Sequence, residues 1–134
     1  MAIFWKRGET GPLSAHFNKE EYTCQCKNSD CIDQMIEEEL LNKLEQLRMD
    51  LGQPIRINSG FRCAKHQQEL REGGLETAVG KSTHELGQAA DVSCPVPIDD
   101  LAITAAKYFM AIGQASSWCH LDLRTGKVRR WTYK

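Results

Sequence analysis

The stretch STHELGQAAD, residues 82–91, has a histidine, His84, before Gly87 and an aspartate, Asp91, after it. The segment GQAADVSC, which starts at Gly87, is short, apolar and rich in small residues, and this composition predicts a buried strand. Side chains alternate between the two faces of a strand. The side chain of Asp91 is therefore expected on one face, and those of its neighbours Ala90 and Val92 on the other. His84 precedes the strand across a turn that Gly87 permits.

A second stretch, WCHLDLR at residues 118–124, shows the same alternation. One face of the predicted strand is apolar, and the other carries Trp118, His120, Asp122 and Arg124. If this strand lies beside the first, then His84, Asp91 and His120 converge on one point. Two imidazoles and one carboxylate, with a fourth position left to water, are the ligands of a catalytic zinc site, which activates water and polarises a carbonyl. Spacing alone leaves open that these residues are ordinary hydrogen-bonding groups.

Two longer segments follow helical spacing. From about Asp33 to Leu51 the apolar residues recur every three or four positions, which predicts a helix that Gly52 ends. The segment PIDDLAITAAKYFMAIG predicts another helix, with Asp99 or Asp100 as its N-cap and Gly113 as its stop. Both segments present an apolar face, so both helices are expected to pack on the core.

Strands are also predicted in PIRINSG, which precedes a short helix in AKHQQELR, and in SSWCHLDLRTGKVRRWTY, which predicts a hairpin turning at Thr125 and Gly126. A long loop connects Gly73 to Lys81. Helices mixed with strands predict an α+β fold with a small antiparallel sheet and flanking helices. The length predicts a single domain, 1–134, in which residues 1–32 form an irregular N-terminal segment containing cysteines.

The composition argues against several classes of partner. With a net charge of −1, the chain has no field that would attract nucleic acid or an anionic membrane surface. No apolar run approaches the ~20 residues that a membrane-spanning helix needs. The opening MAIFWKRGETGPLS lacks the apolar length of a signal peptide, so we expect a protein made in the cytoplasm without one. We also expect a monomer.

Four spaced motifs resemble those of one protein family. STHELGQAAD fits the pattern Ser-x-His-x-x-Gly-x-Ala-x-Asp, and WCHLD fits an aromatic-x-His-x-Asp ending. INSGFRC is similar to a Ser-Gly-Tyr/Phe-Arg-Cys segment, and LSAHFNKEEYTCQC is similar to the opening of phage and bacterial members. In this order, from about Leu13 to Trp131, they resemble the zinc D-alanyl-D-alanine carboxypeptidase family, in its phage and bacterial peptidoglycan-peptidase branch.

The resemblance implies a hedgehog/DD-peptidase fold. It also implies a zinc-dependent metallopeptidase that hydrolyses a peptide bond in the peptidoglycan stem peptide, as a D-Ala-D-Ala carboxypeptidase or as an endopeptidase. It implies Zn²⁺ as the cofactor, with His84, Asp91 and His120 as ligands. Arg62 and Ser82 would hold the substrate's carboxylate or peptide carbonyl, since arginine can donate two parallel hydrogen bonds to a carboxylate. A structural salt bridge for Arg62 and a turn cap for Ser82 remain alternatives. A phage or prophage product, released by lysis or carried in a virion, would act on the cell wall.

The sequence departs from the family pattern in two places. Many members carry an acidic general base three residues before the last histidine ligand, where this chain has Ser117. Asp122, on the same face as His120, is predicted to be the catalytic base or a residue that supports the histidine, with a salt bridge to Arg124 or Arg62 as the alternative. Glu85 is a weaker candidate base. Without a base, the chain would be a zinc-containing module that binds wall peptide or a protein partner. Secondly, Gln67 and the extended ELREGGLETAVGK replace a shorter Asn-x-x-x-Gly-Gly connection, which affects the expected substrate preference.

Three cysteines precede the long helix and a fourth follows Arg62: Cys24, Cys26, Cys31 and Cys63. Such a group can form a closed four-thiolate zinc site, which would be a second metal site in this chain. Disulfides are the alternative if the protein works outside the cell, and free thiols are a third interpretation. A metal or disulfides would require the four residues to lie close together. Cys94 and Cys119 fall on apolar faces and are predicted to be core residues.

Overall fold

The computed structural model describes residues 1–73 and 82–133. Most of the predicted loop from Gly73 to Lys81, and with it much of the extended connection before Ser82, lies outside these ranges, as does the side chain of Gln67. In chain order the elements are β1 (Ala2–Lys6), α1 (Lys19–Tyr22), β2 (Asp33–Glu37), α2 (Glu38–Leu51), β3 (Arg56–Ser59), α3 (Ala64–Glu72), β4 (Ala89–Ser93), α4 (Ile98–Ala105), β5 (Ala111–Gln114), β6 (Cys119–Asp122) and β7 (Arg129–Thr132).

The strands form two sheets. β1 and β2 make an antiparallel pair, and the other five strands form a sheet in the order β3-β4-β6-β5-β7. Every neighbouring pair in the larger sheet is antiparallel except β5 and β7, which are parallel. Helices accompany both sheets, so the predicted α+β fold is confirmed, with one parallel edge pair added to the small antiparallel sheet.

Helix α2 contributes a leucine-rich face to the core. Its buried residues are Leu40, Leu41, Leu44 and Leu47. Gly52 ends the helix in the left-handed conformation, with φ of 65°, that glycine adopts at little cost. The predicted start near Asp33 is wrong, because Asp33–Glu37 pair along their whole length with β1 and form β2. Ile36 is a buried residue of β2. Its position in the sequence matches the apolar spacing of the helix only by coincidence.

The structure also corrects the expectation that residues 1–32 are irregular. Ala2–Lys6 form β1, in register with β2. Lys19–Tyr22 form the one-turn helix α1, and the side chain of Tyr22 is fully buried. The partner of β1 is distant in sequence, so the local pattern of residues 1–32 does not reveal the strand.

Helix α4 is shorter than predicted. It follows Pro97, which is its N-cap in place of Asp99 or Asp100, and its last residue is Ala105. The two aspartates lie instead in the first turn, where negative charge is favourable beside the helix N-terminus. Gly113 does not stop this helix and lies within β5.

The predicted C-terminal hairpin is wrong as well. β6 pairs with β4 on one side and with β5 on the other, and β7 pairs with β5. The strand that precedes β6 in the chain and pairs with it is therefore β5. The predicted helix over residues 97–113 includes most of this strand. Gly126 does lie in a bend, with φ of 93°, but the chain beyond it continues to the far side of β5.

The core fills one side of the larger sheet. Buried apolar residues of α2, α4, β4 and β6 belong to a single cluster, which includes Leu44, Leu101, Val92 and Leu121. The predicted core cysteine Cys119 is also fully buried in this cluster, while Cys94 is half-buried against it. Among the described residues, no helix has the length and apolar character needed to cross a membrane. The sheet face opposite to the core is left to carry polar side chains.

Candidate metal centre

A row of paired residues crosses the polar side of the larger sheet. Ser59 is opposite Asp91, Asp91 is opposite His120, His120 is opposite Gly113, and Gly113 is opposite Trp131. Directly paired residues project from the same face of a sheet, and their apolar neighbours along β4 and β6 project into the core. Strand pairing therefore brings Asp91 and His120 together, although they are distant in sequence.

A turn before β4 brings His84 to the same place. Ser82 Oγ accepts a hydrogen bond from the backbone N–H of His84 at 3.2 Å, and the carbonyl of Gly60 accepts one from His84 Nδ1 at 2.7 Å. Gly87 has φ of 67°, and a Cβ atom there would lie 2.9 Å from the carbonyl oxygen of Met35. Only glycine fits this close, left-handed turn, as the sequence predicts.

The structure brings together the three residues predicted as metal ligands. One donor atom from each of His84, Asp91 and His120 lies within 4.8 Å of the others. Asp91 Oδ1 is 2.9 Å from His120 Nδ1 and 3.3 Å from His84 Nε2. All three residues are buried, so the site is shielded from bulk water on most sides.

The hydrogen bonding of His84 shows that these residues suit a metal ion. A carbonyl oxygen can only accept, so His84 Nδ1 carries the hydrogen and Nε2 presents a lone pair in the neutral ring. Burial lowers the pKa of His84, which favours that neutral ring. Among the described residues, His84 Nε2 finds no hydrogen-bond partner, although Asp91 Oδ1 lies 3.3 Å away. A cation between these two electron-rich atoms would remove the cost of burying them face to face.

The sequence matches the model of a known protein family over the region that contains this site. The model of the family described as peptidase M15 matches residues 15–122, which include the whole His84, Asp91 and His120 trio. This chain belongs to the peptidase M15 family. The resemblance drawn from the spaced motifs is thereby confirmed at the level of the family, and the metal-dependent peptidases of that family suit the donor set described above. Comparisons with curated proteins and with solved structures gave no significant match.

The trio of this M15 peptidase is electrostatically coupled. Burial alone would raise the pKa of Asp91, but the hydrogen bond from His120 and the contact with His84 hold it well below its usual range. Burial would likewise lower the pKa of His120, but its hydrogen bonds to Asp122 and Asp91 outweigh burial and raise it. The Asp91 carboxylate is therefore ionised and available to a cation across the physiological pH range.

Asp122 lies behind His120, on the far side of the ring from Asp91. Its Oδ2 is 2.8 Å from His120 Nε2, whereas Asp91 contacts the other ring nitrogen. The side chain of Asp122 is fully buried and also accepts hydrogen bonds from Arg124. A carboxylate in this position fixes the tautomer and orientation of a metal-binding histidine. The contacts support the second predicted role of Asp122, that of orienting His120, and they combine it with the predicted alternative, a salt bridge to Arg124.

Two substitutions at Asp122 separate orientation from base catalysis. Asp122→Ala is expected to lower zinc affinity about 10–100-fold, the usual effect of losing such a partner. Asp122→Asn is expected to lower it less, because an amide oxygen can still accept from His120 Nε2. Competition with a chelator of known affinity measures both. If both variants bind zinc as tightly as the unsubstituted protein but lose turnover equally, Asp122 is the base and the orienting role is contradicted.

Arg62 and Ser82, the predicted substrate-binding residues, both contact residues of the metal centre. Arg62 Nη2 donates to Asp91 Oδ2 at 2.8 Å, and its Nε donates to Ser59 Oγ at 2.8 Å. Ser82 caps the turn that holds His84. These contacts match the two alternatives, a structural salt bridge and a turn cap. Contact of either residue with a substrate stays a prediction.

Ser117 stands at the position of the family's base, and Glu85 is the weaker candidate base. Ser117 is exposed in the connection between β5 and β6, and a serine hydroxyl does not supply the carboxylate that the family pattern has there. Glu85 is half-buried, directly after His84 in the turn. Its role as a base stays a prediction.

Sequence reasoning placed Trp118 on the face of His120, but it missed the other two aromatic side chains beside the metal centre, Trp131 and Tyr133. The ring centroid of Trp131 is 5.5 Å from that of His120. The ring centroid of Tyr133 is 6.3 Å from that of Trp131 and 4.8 Å from that of Trp118. Gly113 makes room for Trp131, since a Cβ atom there would lie 2.4 Å from the indole Nε1. The alternation in RRWTY, which puts Trp131 and Tyr133 on one face, was the signal that could have identified them. These three half-buried rings form an aromatic wall on one side of His120.

Gly113→Ala is expected to displace Trp131 from His120. The added methyl group has no space under the indole, and overpacking of this kind costs about 1–3 kcal/mol in the free energy of unfolding. Denaturant unfolding measures the loss. Combining Gly113→Ala with Trp131→Leu should cost less than the sum of the two single changes, because the steric conflict is then absent. Strictly additive losses would contradict the packing of Trp131 over Gly113.

The four clustered cysteines form a second group in this M15 peptidase. Donor sulfurs of Cys24, Cys26, Cys31 and Cys63 lie within 4.8 Å of one another. All six cysteines of the chain are free, so no disulfide joins the group. Burial would raise the pKa of the Cys26 thiol, but hydrogen bonds from the Asn28 backbone and the neighbouring cysteines lower it to about 6. A thiolate is therefore favoured at Cys26 near neutral pH.

Proposed function

We propose that this chain is a zinc-dependent peptidase that hydrolyses a peptide bond in the peptidoglycan stem peptide. Membership in the peptidase M15 family supports the metallopeptidase class. The observation that carries the metal assignment is His84 Nε2, a buried lone pair that faces Asp91 without a hydrogen-bond partner among the described residues. When bound, zinc would supply Lewis acidity that activates water near neutral pH and polarises a carbonyl.

The residues around the trio hold its donor atoms in place. The carbonyl of Gly60 fixes the tautomer of His84, and Asp122 does the same for His120. Arg62 binds Asp91 Oδ2, which leaves Oδ1 directed at both imidazoles. A preorganised site of this kind loses little free energy to rearrangement when it binds an ion or reaches a transition state.

The substrate class rests on the resemblance of the spaced motifs to D-alanyl-D-alanine carboxypeptidases. The proposal covers both a carboxypeptidase and an endopeptidase. The aromatic wall supports a peptide substrate, because half-buried rings beside a reaction centre offer apolar contact to a bound chain. We further propose that the protein, as a phage or prophage product, reaches the cell wall after lysis or within a virion.

A second candidate function is a zinc-containing module that binds wall peptide or a protein partner without cleaving it. It is favoured by the exposed Ser117, which stands where the family pattern has an acid, and by the engagement of Asp122 with His120 Nε2. If neither Ser117 nor Asp122 acts as the base, hydrolysis would need another residue, such as Glu85, in that role.

Digestion of purified peptidoglycan distinguishes the two functions. Zinc-loaded protein and the His120→Ala variant are incubated with sacculi and, separately, with a synthetic stem pentapeptide ending in D-Ala-D-Ala, and the products are identified by mass spectrometry. New fragments from the unsubstituted protein alone support the peptidase and identify the bond. Co-sedimentation with sacculi without fragments supports the binding module. If neither cleavage nor co-sedimentation occurs, both the peptidase and the binding of wall peptide are contradicted.

A further inference from the structure

The cysteine group joins two segments that are far apart in sequence. Cys24, Cys26 and Cys31 lie in the connection between α1 and β2, and all three are buried. Cys63 is the N-cap of α3. The group is separate from the His84, Asp91 and His120 trio, since each forms its own cluster of donor atoms.

Two sulfur–sulfur distances match those of a tetrahedral metal site, and all four sulfurs lie within 4.8 Å of one another. Cys63 Sγ is 3.9 Å from Cys24 Sγ and 3.8 Å from Cys26 Sγ. Four sulfurs at the usual zinc–sulfur distance of about 2.3 Å, at the corners of a tetrahedron, are about 3.8 Å apart. A disulfide would require about 2.0 Å. Cys63 Sγ is therefore at the separation from Cys24 Sγ and Cys26 Sγ that a bound ion imposes, and well beyond that of a covalent bond.

Each sulfur accepts a hydrogen bond from an N–H group. The backbone N–H of Cys63 donates to Cys24 and that of His66 donates to Cys63. Side chains donate to the remaining two sulfurs: Arg7 to Cys26 at 3.0 Å and Gln34 to Cys31 at 3.6 Å. Such hydrogen bonds stabilise metal-bound thiolates and orient them, as outer partners do in metal sites generally.

Arg7 also supplies positive charge, which a site of four thiolates needs. Four thiolates and one Zn²⁺ carry an excess of negative charge, and the guanidinium reaches Cys26 Sγ and the carbonyls of Cys26 and Cys24. Arg7 follows strand β1 directly, so the contact also links the N-terminal sheet to the cysteine group.

We propose that Cys24, Cys26, Cys31 and Cys63 bind a second Zn²⁺ in a closed, structural site. Four protein ligands leave no position for water or substrate, so this ion stabilises the fold and takes no part in hydrolysis. Its effect extends to the catalytic centre, because Cys63 directly follows Arg62, whose side chain binds Asp91. Loss of the ion would loosen the backbone from which Arg62 reaches the metal centre.

Metal counting tests the site in the full-length protein purified without chelator. Unsubstituted protein is expected to contain two zinc ions per chain, and Cys26→Ser one. Cys94→Ser is the matched control, because Cys94 lies outside the group, and it should keep both ions. His120→Ala should lose the other ion and keep the cysteine-bound one, so failure of this proposal and failure of the peptidase proposal give different counts. An unchanged zinc content in Cys26→Ser overturns the proposal.

A measurement on the unsubstituted protein avoids any loss of folding in the variants. Titration with a mercurial thiol reagent, monitored with a zinc indicator, should release one zinc as the four clustered thiols react. Replacement of zinc by Co²⁺ should add near-ultraviolet sulfur-to-cobalt charge-transfer bands that persist in His120→Ala. Absence of these bands, or disulfides among the four cysteines in protein alkylated before reduction, contradicts the thiolate site.

Discussion

His120→Ala is expected to lose one equivalent of zinc and to have no detectable peptidase activity. The substitution removes one of the three proposed protein ligands and leaves Asp91 without its hydrogen bond from Nδ1. It also leaves Asp122 buried with Arg124 as its one charged partner among the described residues. An M15 peptidase depends on its metal, so catalysis should be lost together with the ion. Zinc is counted by mass spectrometry, and turnover is measured on sacculi.

The control for His120→Ala is His16→Ala. His16 is a histidine at the opposite end of the sequence that contacts Glu45, and it belongs to neither cluster of donor atoms. It should keep full zinc content and activity. Retention of all zinc by folded His120→Ala, judged by circular dichroism, would show that His120 is not a ligand. Equal losses in both variants would show that the effect is general destabilisation.

Gly60→Ala is expected to lower the free energy of unfolding by about 3 kcal/mol, at the upper end of the usual cost of overpacking. A Cβ atom at residue 60 would lie 2.4 Å from the ring of Tyr22 and 2.7 Å from its carbonyl oxygen. Tyr22 is fully buried and its hydroxyl donates to the carbonyl of Ala89, so the ring cannot move aside freely. The carbonyl of Gly60 also binds His84 Nδ1, so zinc affinity should fall as well.

Gly73→Ala is the matched control for Gly60→Ala. Within the described part of the chain, a Cβ atom there would make only ordinary contacts, 3.5 Å from two carbonyl oxygens of α3, and Gly73 has a negative φ that alanine adopts readily. It should therefore leave stability and zinc affinity nearly unchanged. Denaturant unfolding with and without a chelator measures both variants. Wild-type stability in Gly60→Ala would contradict the close approach of α1 to the segment that holds His84.

The convergence of His84, Asp91 and His120 could be predicted because the alternation of side chains along each strand is local. Alternation along β4 and β6 identifies which side chains leave the core, and Gly87 marks the turn that brings His84 to β4. The pairing of Asp91 with His120 then follows once the two strands are neighbours. The family motifs added the expectation that these strands are neighbours.

The strand order could not be predicted, because it depends on partners that are distant in sequence. β1 and β2 are stable as strands only together, and neither shows its partner locally. β5 has four residues and follows an apolar helix, so its residues extend the helical pattern up to Gly113. Missing β5 led directly to the false pairing of β6 with β7.

The role of Asp122 shows a finer limit of sequence reasoning. Two positions along a strand return to the same face, so the prediction that Asp122 shares the face of His120 is consistent with their contact. The sequence does not show how the His120 ring is turned. Because Nδ1 faces Asp91 and Nε2 faces Asp122, the two carboxylates hold opposite sides of one imidazole.

Anomalous X-ray diffraction from crystals of zinc-loaded protein, recorded above and below the zinc absorption edge, tests zinc binding at the His84, Asp91 and His120 trio. We expect an anomalous peak about 2.0–2.2 Å from His84 Nε2, His120 Nδ1 and a carboxylate oxygen of Asp91, with a fourth position open to solvent. A second peak among the four cysteine sulfurs serves as an internal reference for the occupancy of the first. The absence of any peak at the trio, in crystals that show zinc elsewhere, would show that these three residues do not bind the ion.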